Sequence, residues 1–136
     1  AASGCVGSVG VDFVLGEEAV AIELNPRFQA TVDTVEAALG LSLFSLHMDA
    51  CRGALPPVVP EPRRCVARRI LFAERDLVVA EDLSPLAPRV ADIPWPGTAF
   101  DEGQAVVSVL GTGADRAGAL WDMSNTLNKL ERYMGR

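Results

Sequence analysis

Asp12, Glu23 and Asn25 are the residues of this 136-residue chain whose types and spacing best suit chemistry. Brought onto one surface, two carboxylates and an amide oxygen form an all-oxygen donor set. Hard cations such as Mg²⁺ prefer that set over the nitrogen and sulfur ligands suited to zinc. Mg²⁺ takes one or two protein carboxylates and completes its octahedron with water and phosphate oxygens, so the cluster suits nucleotide chemistry. Arg27 follows at the same alternation and adds a cation for an anionic oxygen.

A hairpin is the element that must position them. Val9, Val11, Phe13 and Leu15 alternate with Gly10, Asp12 and Val14, and Val20, Ile22 and Leu24 alternate with Ala21, Glu23 and Asn25. This is the period-two pattern of half-buried strands. Directly opposed residues of an antiparallel pair point the same way, so the two apolar sets must share a face. With residues 16–19 as the loop, Leu15 pairs with Val20, Phe13 with Ile22, Val11 with Leu24 and Asp12 with Glu23. Opposed Cβ atoms lie roughly 5 Å apart, where like charges are destabilising unless neutralised. Pro26 cannot continue the ladder and pushes Asn25 toward an extended conformation, so the strand ends there. A merely solvated hairpin face is the competing reading of the two acids. The Asn25-Pro26-Arg27 stop, which an exposed edge does not need, favours a site.

The spacing beyond the hairpin predicts an α+β chain of antiparallel sheet with packed helices. Residues 34–39 form a short helix closed by Gly40, and Ser42 caps a second helix that runs to Cys51 and is closed by Gly53. "ALPPVVPEPRR" reads as a stiff, extended connection. The expected organisation is therefore residues 1–54, a linker at 55–64, and a small α+β subdomain at 65–136. In the last part, residues 66–73 and 77–80 are expected to form a hairpin around Glu74-Arg75-Asp76. A strand at 105–110 leads through Gly111 and Gly113, read as permitting a tight turn, to a helix capped near Asp115. Its packing face is expected to be Ala117, Leu120, Trp121, Ser124, Leu127, Leu130 and Met134. Trp95 in "DIPWPG" is expected to wedge its turn against the core. The Gly-Thr-Gly run lacks a complete phosphate-binding motif.

Composition narrows the function. A net charge of −6, from 18 acids against 12 bases with Lys129 the sole lysine, argues against nucleic acid as a partner. The longest nearly uncharged apolar run, residues 39–48, falls far short of the roughly 20 residues of a membrane span, so no membrane segment is expected. Cys5, Cys51 and Cys65 lack metal or disulfide spacing and read as buried or half-buried thiols in a reducing cytoplasm. His47 reads as a packed histidine. Arg63, Arg64, Arg68 and Arg69 read as solvated strand side chains, with an anionic ligand as the competing role. The Ala1-Ala2 start, with neither initiator Met nor a basic leader, reads as a cut through a longer polypeptide.

The stretch "GVDFVLGEEAVAIELNPRFQATVDTVEAALGLSLFSLHMDACRGALP", residues 10–56, resembles the C-terminal half of the catalytic module of the ATP-grasp superfamily. The segment containing "DIPWPGTAFDEGQAVVSVLGTGAD" resembles the small C-terminal domain of carboligases related to biotin carboxylase. The resemblance implies ATP and Mg²⁺, or Mn²⁺ in its place, as cofactors. It implies Asp12, Glu23 and Asn25 as metal ligands, with Glu23 and Asn25 also facing the nucleotide phosphates. It implies Arg27 as the catalytic arginine that fixes phosphate or an acyl phosphate, and Val14 as lining the adenine pocket. Such ligases activate a small carboxylate as an acyl phosphate and pass it to an amine or other acceptor. The glycine-rich loop and lysines that grip ATP belong to the preceding half of the module. The fragment alone is thus expected to be inactive and to need that N-terminal half as its partner, and a homo-oligomer is compatible with the sequence. The alternative is a non-catalytic interaction or regulatory module of the same fold.

Overall fold

The computed structural model describes residues 4–133, and the chain divides into two compact units, residues 1–61 and 62–136. In the first, β1 (Gly10–Leu15) and β2 (Ala19–Asn25) pair antiparallel and are followed by α1 (Val32–Leu39) and α2 (Leu43–Cys51). Helix α1 begins earlier than its sequence suggests. Its opening amides find acceptors at once, Val32 N–H at the Gln29 carbonyl (3.1 Å) and Val35 N–H at the Thr31 carbonyl (3.0 Å). It ends at Gly40, whose N–H closes on the Glu36 carbonyl at 2.8 Å in the left-handed conformation (φ 67°). The Ser42 cap of α2 forms as expected, its Oγ accepting from Ser45 N–H at 3.2 Å.

The hairpin register agrees with expectation only at its polar end. Val11 faces Leu24 and Asp12 faces Glu23, but Phe13 faces Ala21, Val14 faces Val20 and Leu15 faces Ala19. Ile22 is the extra residue of a β-bulge. The turn closes over three residues rather than four, with Gly16 N–H donating to the Glu18 carbonyl at 3.2 Å, and the bulge absorbs the difference while sharpening the local twist. Among the described residues of this unit none is fully buried, and Phe13, Leu15, Val20 and Ile22 are all more than half exposed.

His47 ties α2 to both ends of the hairpin. Its Nδ1 accepts from Ser8 N–H at 2.9 Å, before β1, and its ring lies 5.0 Å from that of Phe28, after β2. With Nδ1 accepting, the neutral ring carries its proton on Nε2, which faces Cys51 Sγ at 3.7 Å. The histidine is packed, as expected; Cys51 is exposed rather than buried. Gly7 makes room for the ring. It has φ 87°, and a Cβ there would lie 2.2 Å from His47 Nδ1.

The second unit contains β3 (Cys65–Phe72), β4 (Leu77–Val79), β5 (Val90–Ala91), β6 (Thr98–Phe100), β7 (Ala105–Gly113) and α3 (Arg116–Tyr133). Strand β7 lies between β3 and β5, and β4 pairs with β6 in a separate ribbon. The hairpin expected between residues 66–73 and 77–80 does not form. The longer β7 offers β3 a full-length partner. Where β3 ends, Ala73 N–H donates to the Gln104 carbonyl and Gly103 N–H to the Ala73 carbonyl, both at 2.8 Å. The turn at 74–76 therefore sends the chain into the other ribbon. Leu83, Val90, Val107, Val109, Met123 and Leu130 form the centre of the core.

Helix α3 is capped by Asp115, whose Oδ1 accepts from Gly118 N–H at 2.8 Å. The helix buries Ala119, Met123, Thr126 and Leu130, whereas Ala117, Leu120 and Trp121 of the expected face are exposed. Met134 lies outside the described residues. Close approach of backbone decides the rotation. A Cβ on Gly111 would lie 2.3 Å from Met123 N, and one on Gly113 2.4 Å from Ala119 N. The two glycines are strand residues that admit the helix, not the expected turn. Trp95, 84% exposed, does not wedge its turn against the core.

Two polar ties fasten this unit. Arg89 donates from Nη1 to Asp122 Oδ1, and Thr112 N–H donates to Asp122 Oδ2 at 2.9 Å. Arg68 donates from Nη2 to Asp92 Oδ2 and Ser108 Oγ, each at 2.8 Å, and Ser108 donates to the same carboxylate at 2.6 Å. Arg68 is thus held inside the unit rather than solvated. The hydrogen bond from Arg89, then that from Thr112, holds the Asp122 carboxyl below the usual range.

Two outcomes are expected. Gly7→Ala should destabilise the chain by about 1–3 kcal/mol in urea unfolding, and by clearly less in a His47→Ala background, where only the backbone strain remains; an equal cost in both backgrounds would rule out the steric contact. Asp122 binds its proton less readily folded than unfolded. Its stabilisation is complete above the unfolded carboxylate value of about pH 4 and is lost as pH falls through the lower folded value. Asp122→Asn should flatten that acid-side loss in thermal melts recorded from pH 7 to pH 2.5.

Candidate metal and phosphate site

Strands β1 and β2 bring the polar residues together at the end of the hairpin away from its turn. Asp12 and Glu23 are directly paired, and Asn25 faces Gly10 one step further along. Asn25 donates from Nδ2 to Asp12 Oδ2 at 3.2 Å, so the amide and the first carboxylate meet across the two strands. The bulge at Ile22 immediately follows the Asp12–Glu23 pair and increases the twist beneath Glu23.

Val14 shares the face of Asp12, two residues along β1, and is 57% exposed. Arg27 lies past Pro26. Its N–H donates to the Asn25 carbonyl at 2.8 Å, and its Nη1 donates to the Phe28 carbonyl at 3.2 Å, so the guanidinium rests on its own turn. An open groove of about 510 Å³ runs beside the pair, bordered by Gly10, Val11 and Asp12 on β1 and by Gln29, Thr31 and Val32 at the start of α1.

Among the described residues no three His, Cys, Asp or Glu side chains are grouped to hold a metal. A cation here would draw on two carboxylates and an amide oxygen. That donor set fits Mg²⁺, which keeps several waters and seldom needs a third protein carboxylate. It suits zinc less, because zinc sites are built mainly on thiolate and imidazole, which this set lacks.

Sequence reasoning missed Gln29. Its Nε2 donates to the Arg27 carbonyl at 3.1 Å and to the Asn25 carbonyl at 3.4 Å. The signal was present in Pro26, which ends the ladder and leaves the following turn to be held by other donors. Of the arginine cluster, Arg68 is taken by Asp92 and Ser108, while Arg63, Arg64 and Arg69 are exposed. No helix among the described residues is long and apolar enough to cross a membrane.

Residues 1–31, which include the whole hairpin, match the ATP-grasp_3 family, an ATP-grasp domain. No curated protein sequence matches the chain. The structure is similar to that of N5-carboxyaminoimidazole ribonucleotide synthetase from Thermus thermophilus, at 25% sequence identity and a TM-score of 0.51. The likeness covers 96% of this chain and 34% of the synthetase, so the chain spans about a third of that enzyme's length. Hairpin sequence and backbone path point the same way, and the chain is related to the ATP-grasp superfamily.

Proposed function

We propose that the chain is the metal- and phosphate-facing part of an ATP-grasp ligase. In this reading the whole enzyme uses Mg-ATP to activate a carboxylate as an acyl phosphate and transfers the acyl group to an acceptor such as an amine. The observation that carries it is the meeting of Asp12, Glu23 and Asn25 at one end of a hairpin whose sequence matches the ATP-grasp family.

Asp12 and Glu23 supply negative charge and Asn25 a neutral oxygen, and together they would hold the cation. Bound there, Mg²⁺ would neutralise phosphate charge and orient the transferring group. Arg27, one turn beyond, would place its guanidinium against the oxygens of the phosphoryl group. A guanidinium suits that role because it remains charged and offers several donors to a planar or tetrahedral anion. Val14 would present an apolar surface to the adenine. The carboxylate oxygen attacks the γ-phosphorus and ADP leaves; the acceptor then attacks the acyl carbon, the bond to the phosphate oxygen breaks, and the departing inorganic phosphate carries away the proton that an amine acceptor gives up. None of these side chains need exchange a proton, so the contribution of this part is positioning and charge.

Lysines that grip the nucleotide are not available here, since Lys129 is the sole lysine and lies on α3. We place them in a preceding segment of the same polypeptide, which would also cover the open apolar face of β1 and β2. The short share of the synthetase that is matched supports this division.

In the full-length protein, Glu23→Gln and Asn25→Ala should each lower Mg²⁺-dependent ATP turnover by at least about 100-fold; wild-type turnover in both would remove the site assignment. The 136-residue chain alone should release no ADP from Mg-ATP in a coupled assay, and turnover by the pure fragment would show that the grip on ATP lies within it.

A further inference from the structure

Pro26 ends the strand, and one side chain spans the turn that follows. The proline has no N–H to continue the ladder, the Asn25 carbonyl accepts from Arg27 N–H at 2.8 Å, and the Arg27 carbonyl lies past the last paired residue. The primary amide of Gln29 has two hydrogens on one nitrogen, and it donates to both, at 3.1 Å to Arg27 and 3.4 Å to Asn25. The first distance is that of an ordinary hydrogen bond and the second is long, so the stronger hold is on the Arg27 side. The carbonyl of Gln29 meanwhile accepts from Val32 N–H at 3.1 Å. One residue therefore joins the end of β2, the turn and the first turn of α1.

Space for this arrangement comes from the opposite strand. Gly10 is the β-partner of Asn25. A Cβ built on it would lie 2.3 Å from both Cγ and Cδ of Gln29 and 2.4 Å from Nε2. Gly10 is not among the glycines with positive φ, so conformational freedom does not explain it; the absent Cβ is what the position requires.

We propose that Gln29 is a positioning residue: its amide clamps the Asn25-Pro26-Arg27 turn, in a space that Gly10 leaves open, and so sets where Asn25 and Arg27 stand relative to Asp12 and Glu23. The inference rests on the reading of these residues as a divalent-cation site. It assigns Gln29 no contact with metal or substrate.

Gln29→Glu nearly preserves size but replaces the donors with acceptors, which repel the two carbonyls. Gly10→Ala keeps the glutamine and removes its place. Both should shift the backbone amide resonances of Arg27 and Phe28 and the side-chain amide of Asn25 in ¹⁵N spectra of the 136-residue chain, leaving β4 and β6 unmoved as a check on folding. Both should weaken Mn²⁺ binding, read from paramagnetic broadening at Asp12 and Asn25, by about tenfold or more. The double variant should be little worse than either single one. An unmoved turn overturns the clamp, and Mn²⁺ affinity within about twofold of wild type in variants whose turn has moved overturns the positioning role. If the wild-type chain shows no site-specific broadening while the variants still shift the turn, the cation reading fails and the clamp stands.

Discussion

Proline at position 26 withholds the donor that would let β2 continue, and the polar end of the first unit is organised around that loss. Asn25 becomes the last strand residue, still in register with Gly10 and within reach of Asp12. The chain then folds back through the hydrogen bond from Arg27 N–H to the Asn25 carbonyl, and the amide of Gln29 takes up acceptor capacity that the sheet no longer uses. Arg27 is exposed and the Asn25 carbonyl already accepts from Arg27 N–H, so the Gln29 amide adds orientation to the stop rather than rescuing a buried acceptor.

The hairpin itself has a divided character. One carboxylate of its pair, that of Asp12, is tied across the strands by the Asn25 amide, while its apolar side chains are left largely open. A two-stranded ribbon is marginal in water by itself. Here α2 contributes through His47, which binds the segment before β1 by a hydrogen bond and the turn after β2 by ring contact. The synthetase of similar structure is almost three times as long as the part this chain covers.

The second unit is organised differently, by backbone approach rather than by charge. Gly111 and Gly113 let α3 settle directly on β7, and this contact rotates the helix so that Ala119, Met123 and Leu130 are covered while Trp121 is not. Arg89–Asp122 and Arg68–Asp92–Ser108 then fasten its elements with charge-assisted hydrogen bonds.

Alternation in the sequence was sufficient to place Asp12 opposite Glu23 and Asn25 beside them, because a period of two leaves only one face for each residue. Pro26, Gly40, Ser42 and Asp115 marked ends and caps for equally local reasons. The parts that the sequence left undecided are those in which distant segments compete or touch. The bulge at Ile22 depends on how tightly the turn closes. The partner of β3 depends on which strand offers it the longer ladder, and β7 does so from a distant part of the chain. The face of α3 depends on glycines in a strand, whose absent side chains leave no periodic trace. The joint fit of Gly10 and Gln29 belongs to the same class. Residue types determined which groups could meet a cation, and tertiary contact decided the geometry in which they are held, because steric room and hydrogen-bond completion are properties of the assembled backbone.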